Sequence, residues 1–282
     1  MSDPGSVAPA LPPPALPATE ASTPPRPRLR SLLGDAAVDV ALALLVMFAA
    51  SLLAGVAWGV WRAVAAVAAN GGEAIDPSRL GEVIGEPGAL AQMLMAIVSM
   101  ATPALLLYFW RRRAGRGERS RSRAALRRPA TWGWALLVAA LVFAGTTLAS
   151  WLMQLAGSEP VPTNLAMVEE ASRRWPWFLF LFAVVLAPAY EELLFRRVLF
   201  GRFLAAGRPW LGMAVSSLAF ALMHEVPGIS ANPPLAVVQL LAVYAGMGAA
   251  FAWVYRRTGT LWAPILAHGL NNAVALMVHG LA

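Results

Sequence analysis

Residues 175–200 read "WPWFLFLFAVVLAPAYEELLFRRVLF", and the two halves of that stretch make opposite demands on their surroundings. Trp175 to Pro188 are almost wholly apolar. Glu191, Glu192, Arg196 and Arg197 then follow within ten residues. A charge near a bilayer centre costs roughly 2.5–3.5 kcal/mol even on the lenient insertion scale, so charges held there need partners. On a helix Glu192 and Arg196 are four apart and share a face, in the order that suits an intrahelical ion pair. Glu191 lies about 100° round from Glu192 and stays outside that pair. One carboxylate is tied up and one is available. Pro188, three residues before Glu191, removes a backbone donor and kinks the helix beside them.

Working outward, the 282-residue chain is 59% hydrophobic and 13% charged. Soluble domains carry about 25% charged residues, so the composition is that of a polytopic membrane protein. Apolar runs long enough to span recur at about 36–61, 89–110, 131–155, 175–206, 209–225, 234–255 and 260–281. The expected fold is all-α, a membrane bundle of about seven helices, with eight as the alternative count. Residues 1–30 hold nine of the 22 prolines and no apolar core, which reads as a disordered cytoplasmic tail rather than a signal peptide. Residues 31–130 are read as N-terminal spans plus an arginine-rich loop, and 131–282 as a second membrane domain. With no cysteine, disulfides and thiolate metal sites are excluded.

Every basic residue is arginine. An inward N-terminus puts 18 of the 22 on one side, in groups of 3, 9, 4 and 2, and leaves Arg62, Arg79, Arg173 and Arg174 on the other. The positive-inside rule gives a multi-pass protein of the cell (inner) membrane with N-terminus cytoplasmic and C-terminus outside. It also explains the +7 net charge without nucleic acid, which is not expected as a partner.

The remaining polar residues inside spans are few. "FALMHE" carries His224, and "HGLNN" carries His268 with Asn272 four residues later on the same face. His279, close to the C-terminus, reads as interfacial and without function. Glu191 is sixteen residues before Gly207 and His224 sixteen after Arg208, so an antiparallel hairpin brings both to a level ~25 Å from the turn. His268 and Asn272 come to roughly 14–20 Å from theirs. Together these groups suit peptide hydrolysis. Glu191 takes a proton from water and passes it to the leaving amine, His224 holds the water, and His268 and Asn272 donate to the oxyanion. No cofactor is favoured. The alternative is zinc on Glu191, His224 and His268. Other membrane protease chemistries fail. "HEVPG" is not H-E-x-x-H, no aspartate follows Asp76, and Ser216 and Ser217 lack a Gly-x-Ser-Gly context.

"EELLFR", "FALMH" and "HGLNN" are E-E-x-x-x-R, F-x-x-x-H and H-x-x-x-N, in that order and in separate spans. Over about residues 130–282 the chain resembles the CAAX-protease and bacteriocin-processing (CPBP, or Abi) family, related to the type II CAAX prenyl endopeptidases. The resemblance implies an intramembrane endopeptidase, often labelled a metalloprotease, acting on peptide or protein substrates near the cytoplasmic face. By position, Glu191 matches the catalytic glutamate, His224, His268 and Asn272 the second and third motifs, and Glu192 and Arg196 the supporting pair. A proton-coupled transporter, or an idle membrane scaffold or immunity protein, are the alternative readings. Polar spans in the second half only speak against the repeat symmetry of a transporter.

Overall fold

The computed structural model describes residues 28–73, 75–278 and 280. His279 and residues 1–27 of the expected tail lie outside the described residues, while Leu29 and Arg30 already belong to the first helix. Ten helices and no strand make up the described part. They are α1 (Leu29–Ala69), α2 (Leu80–Ile84), α3 (Ala89–Arg111), α4 (Arg116–Leu126), α5 (Pro129–Leu155), α6 (Leu165–Arg174), α7 (Pro176–Ala205), α8 (Pro209–His224), α9 (Pro234–Thr258) and α10 (Trp262–Val278). Proline at the first turn starts α5, α7, α8 and α9, where its missing N–H costs nothing. Gly259, at φ +70°, stops α9 in the left-handed conformation that glycine adopts without strain.

The seven apolar runs coincide with α1, α3, α5, α7, α8, α9 and α10. Five of these are long and apolar enough to cross a bilayer unaided: α1, α3, α5, α7 and α9. At 16 and 17 residues, α8 and α10 extend only ~24–26 Å, against a hydrocarbon core of about 30 Å. The fold is a membrane helical bundle. α7 lies against α3, α8 and α10, with α9 packed along α8 and α5 against both α9 and α10. Small residues allow a close crossing: a Cβ on Gly248 of α9 would stand 2.9 Å from Ser217 Cα of α8. α1 flanks α3 and turns most of its apolar surface outward, as a lipid-facing helix does.

Three stretches between the apolar runs contain helices, α2, α4 and α6. α4 forms inside the arginine-rich 111–128 segment because Glu118 reaches back to accept the Gly115 N–H at 2.8 Å, capping its first turn. The same carboxylate takes a bidentate bond from Arg197 of α7, at 2.8 and 2.9 Å. Arg202 of α7 pairs with Asp39 and Asp35 of α1, and Arg111 of α3 also pairs with Asp39. These arginines therefore join α1, α3 and α4 to the end of α7, beyond any role in orientation. α6 follows α5 as a short amphipathic helix whose Glu170 accepts the Ala89 N–H at the start of α3.

Candidate active site

Glu191 and Glu192 are the sixteenth and seventeenth of the thirty residues of α7, halfway along the helix. A kink was expected here from Pro188. Instead α7 widens on both sides of the pair, into π-helical turns at Phe182–Leu186 and Leu193–Phe200. π turns concentrate where a helix is bent to a functional purpose. In the first of them the Ala187 N–H bonds Phe182 O, five residues back.

The ion pair expected from the spacing forms. Arg196 Nε is 2.8 Å from Glu192 Oε2, and both side chains are 0% exposed. The rest of the Arg196 charge is offset by three contacts from two helices: its Nη2 donates to Gly248 O of α9 at 3.3 Å, and its guanidinium lies 4.6 Å over the Phe220 ring of α8 and 5.5 Å from that of Phe251 of α9. The second oxygen of Glu192 accepts from His268 Nδ1 at 3.0 Å. Glu192 is thus engaged on both oxygens, by an ionic contact with Arg196 on one and a hydrogen bond from His268 on the other. Glu191 is not: its Oε2 is buried without a hydrogen-bond donor, 3.7 Å from His224 Nε2 and 3.9 Å from His268 Nε2.

Both imidazoles are held by their other nitrogen. His224 Nδ1 donates to Phe220 O at 2.9 Å, one turn back on α8. His268 Nδ1 donates to the Glu192 carboxylate, and its ring stacks on Phe251 at 4.8 Å and 18°. With the Nδ1 proton committed, each neutral ring turns the lone pair of Nε2 toward Glu191. His268 can then donate from Nε2 only when doubly protonated. Asn272 lies one turn beyond His268 on α10. Its Nδ2 donates to Ala183 O of α7 at 2.9 Å, while its Oδ1 accepts from Asn271 at 3.4 Å. Glu191, His224 and His268 are brought together at one level, and Asn272 joins them through the backbone of α7.

Residues that the motifs did not single out complete the surroundings. Phe220 touches Arg196 and His224, and its carbonyl orients the latter; the only sequence signal was its place in F-x-x-x-H. Tyr244 of α9 covers the other face of His224 at 4.7 Å. Glu225, next to His224, is fully buried and accepts from Thr163 Oγ1 at 2.9 Å and Asn232 Nδ2 at 3.2 Å. It ties the connections on either side of α6 and α9 to the end of α8.

In kind, Glu191, His224 and His268 are a zinc donor set, and anchoring of both Nδ1 atoms is what such ligands need. In spacing they are wider than the roughly 3.3 Å between donors that tetrahedral bonds of ~2.0 Å require. Among the described residues, no group of three His, Asp or Glu side chains stands at metal-binding distances.

Residues 173–274 match the family described as type II CAAX prenyl endopeptidase Rce1-like, and this segment contains all six motif residues. Over 151 residues the chain is 32% identical to the membrane-embedded CAAX protease MroQ of Staphylococcus aureus (strain USA300), covering 51% of this chain and 56% of that protein. It is 29% identical over 94 residues to YdiL of Bacillus subtilis (strain 168), named as a candidate membrane peptidase, covering 33% and 34%. The chain thus spans about half the length of the first relative and a third of the second. No solved structure matches it. The resemblance drawn from the three motifs holds over the matched segment.

Proposed function

We propose that this protein is an intramembrane endopeptidase that hydrolyses peptide bonds of membrane-associated proteins or peptides with a water activated by Glu191. The observation that carries the reading is the Glu191 oxygen, buried without a hydrogen bond and enclosed by the Nε2 atoms of two imidazoles at 3.7 and 3.9 Å. A carboxylate in that setting is a base rather than an ion-pair member. Its neighbours, at 3.7 and 3.9 Å, are too far for direct bonds and close enough to share one small polar group with it.

The steps follow from the donors and acceptors. Glu191 accepts one proton of the water, and His224 Nε2 accepts the other hydrogen bond, which orients the oxygen for attack. The carbonyl becomes a tetrahedral oxyanion. Asn272 has a second amide hydrogen besides the one given to Ala183 O, and doubly protonated His268, with Glu192 as counter-ion, supplies another donor. Glu191 then returns its proton to the leaving nitrogen as the C–N bond breaks, leaving a carboxylic acid and an amine. Glu192 and Arg196 keep their partners throughout and hold His268 in place.

This mechanism uses no cofactor. Were zinc bound, Glu191, His224 and His268 would hold it, and its chemistry would be to acidify the attacking water. Activity that persists after exhaustive chelation fits the metal-free route; loss on chelation with recovery on zinc alone transfers the water to the metal. The arginine-rich end, which carries α4, is assigned to the cytoplasmic side of the cell membrane.

Hydrolysis is tested by incubating purified protein with a peptide library in ¹⁸O-water. The expected products carry one ¹⁸O in each new carboxyl group. Intact peptides throughout would favour a transporter or an idle scaffold.

A further inference from the structure

Ala183 O is a carbonyl in search of a donor. In the π turn of α7 the Ala187 amide is spent on Phe182 O, so the next amide in the same register, that of residue 188, should bond Ala183 O. Residue 188 is proline and has no N–H. In an α-helical register the Ala187 amide would serve Ala183 O, and the proline would leave the carbonyl of Val184 bare instead. Pro188 therefore frees backbone acceptors on the face of α7 that meets α10. α10 answers with two side-chain choices. Asn272 Nδ2 donates to Ala183 O at 2.9 Å, and Gly269 lies so close to Val184 O that a Cβ there would overlap it. Away from bulk water a bare carbonyl is costly, so the match stabilises the contact between α7 and α10.

We infer that Pro188 and Asn272 are a coupled positioning pair: the proline strips the Ala183 carbonyl of its helical donor, and the Asn272 amide takes that place, fixing α10 against α7. The consequence for the site is register. His268 is one turn from Asn272 on α10, and Glu191 is three residues from Pro188 on α7. The Asn272 bond thus sets how far His268 Nε2 stands from Glu191. It also holds the Asn272 amide in one orientation, with one hydrogen on Ala183 O and the other free. The catalytic side of this inference rests on the protease reading; the coupling itself does not.

The test is a cycle of Pro188→Ala, Asn272→Ala and the double variant, read by thermal unfolding and by yield of folded protein, neither of which needs activity. Asn272→Ala alone leaves Ala183 O without a donor and lowers the unfolding temperature. Pro188→Ala restores a backbone N–H, so that in either register Ala183 O is bonded again. The double variant is then expected to be more stable than Asn272→Ala alone, or to fold where that variant does not. An equal loss from Asn272→Ala in both backgrounds overturns the coupling. Pro188→Ser, which restores the same N–H, takes over if Pro188→Ala does not accumulate, and failure of both to fold also overturns it. For the catalytic part, Pro188→Ala with Asn272 intact is expected to lower kcat about tenfold at nearly constant KM, since the amide loses its fixed aim. An unchanged kcat alongside the stability coupling would confine the pair to folding.

Discussion

Glu191 and Glu192 are adjacent and chemically identical, and their surroundings give them different work. Glu192 meets Arg196, His268 and through them the rings of Phe195, Phe220 and Phe251, while Glu191 faces the Nε2 atoms of two imidazoles. Arg196→Ala is expected to reduce folded protein, by about 3–5 kcal/mol, because it leaves a buried carboxylate uncompensated; unfolding in detergent measures it. Asn272→Ala is expected to slow turnover by roughly 10²–10³, the usual loss of one oxyanion donor, in steady-state assays on a cleavable peptide. At this scale much was legible in the sequence. The spacing of four between Glu192 and Arg196, and between His268 and Asn272, assigns faces without any coordinates. Phe251, Tyr244 and Glu225 were not legible as site residues. Phe251 and Tyr244 act on residues of other helices and Glu225 on connecting segments, and nothing in the neighbourhood of each distinguishes it from other residues of an apolar span or its end.

Helices matter here through the backbone atoms they expose to one another. Gly269→Ala is expected to destabilise by roughly 1–3 kcal/mol, since its Cβ would press on Val184 O of α7. Gly246→Ala, with open space around it, is the control and should be neutral or slightly stabilising. At the arginine-rich end, Arg197 holds the Glu118 carboxyl down to about 2, from an ordinary 4.5. A carboxylate whose folded pKa is lowered stabilises the docked state fully above its unfolded pKa. That contribution disappears as pH falls from about 4.5 toward 2. Hydrogen exchange of α4 amides, corrected for intrinsic rates, should therefore speed up across that window, and Glu118→Gln should remove the pH dependence. The apolar runs placed the long helices well. The first π turn and α4 escaped because the one precedes a proline whose consequence is tertiary, and the other depends on a capping glutamate inside a segment whose charge already had an explanation.

For the whole molecule, the question is which way the bundle faces and what it does at mid-depth. The division of arginines, 18 against 4, predicts that single cysteines introduced at 116–126 of this cysteine-free chain stay shielded from impermeant label in intact cells. Labelling from outside would reverse the bundle. The site is halfway along α7, reached by groups from α8 and α10 that the chain brings back to one level, so of the charges that looked costly in 175–200, Glu192, Arg196 and Arg197 are paired inside the protein and Glu191 is left available. The claim on which function turns is that Glu191 is the base. Purified protein reconstituted in vesicles, with Glu191→Gln beside the parent and both shown to be folded, tests it most directly. Cleavage of a susceptible peptide should fall by at least about 10² in the variant, the smallest loss expected of a general base, and turnover near the parent's rate would contradict it.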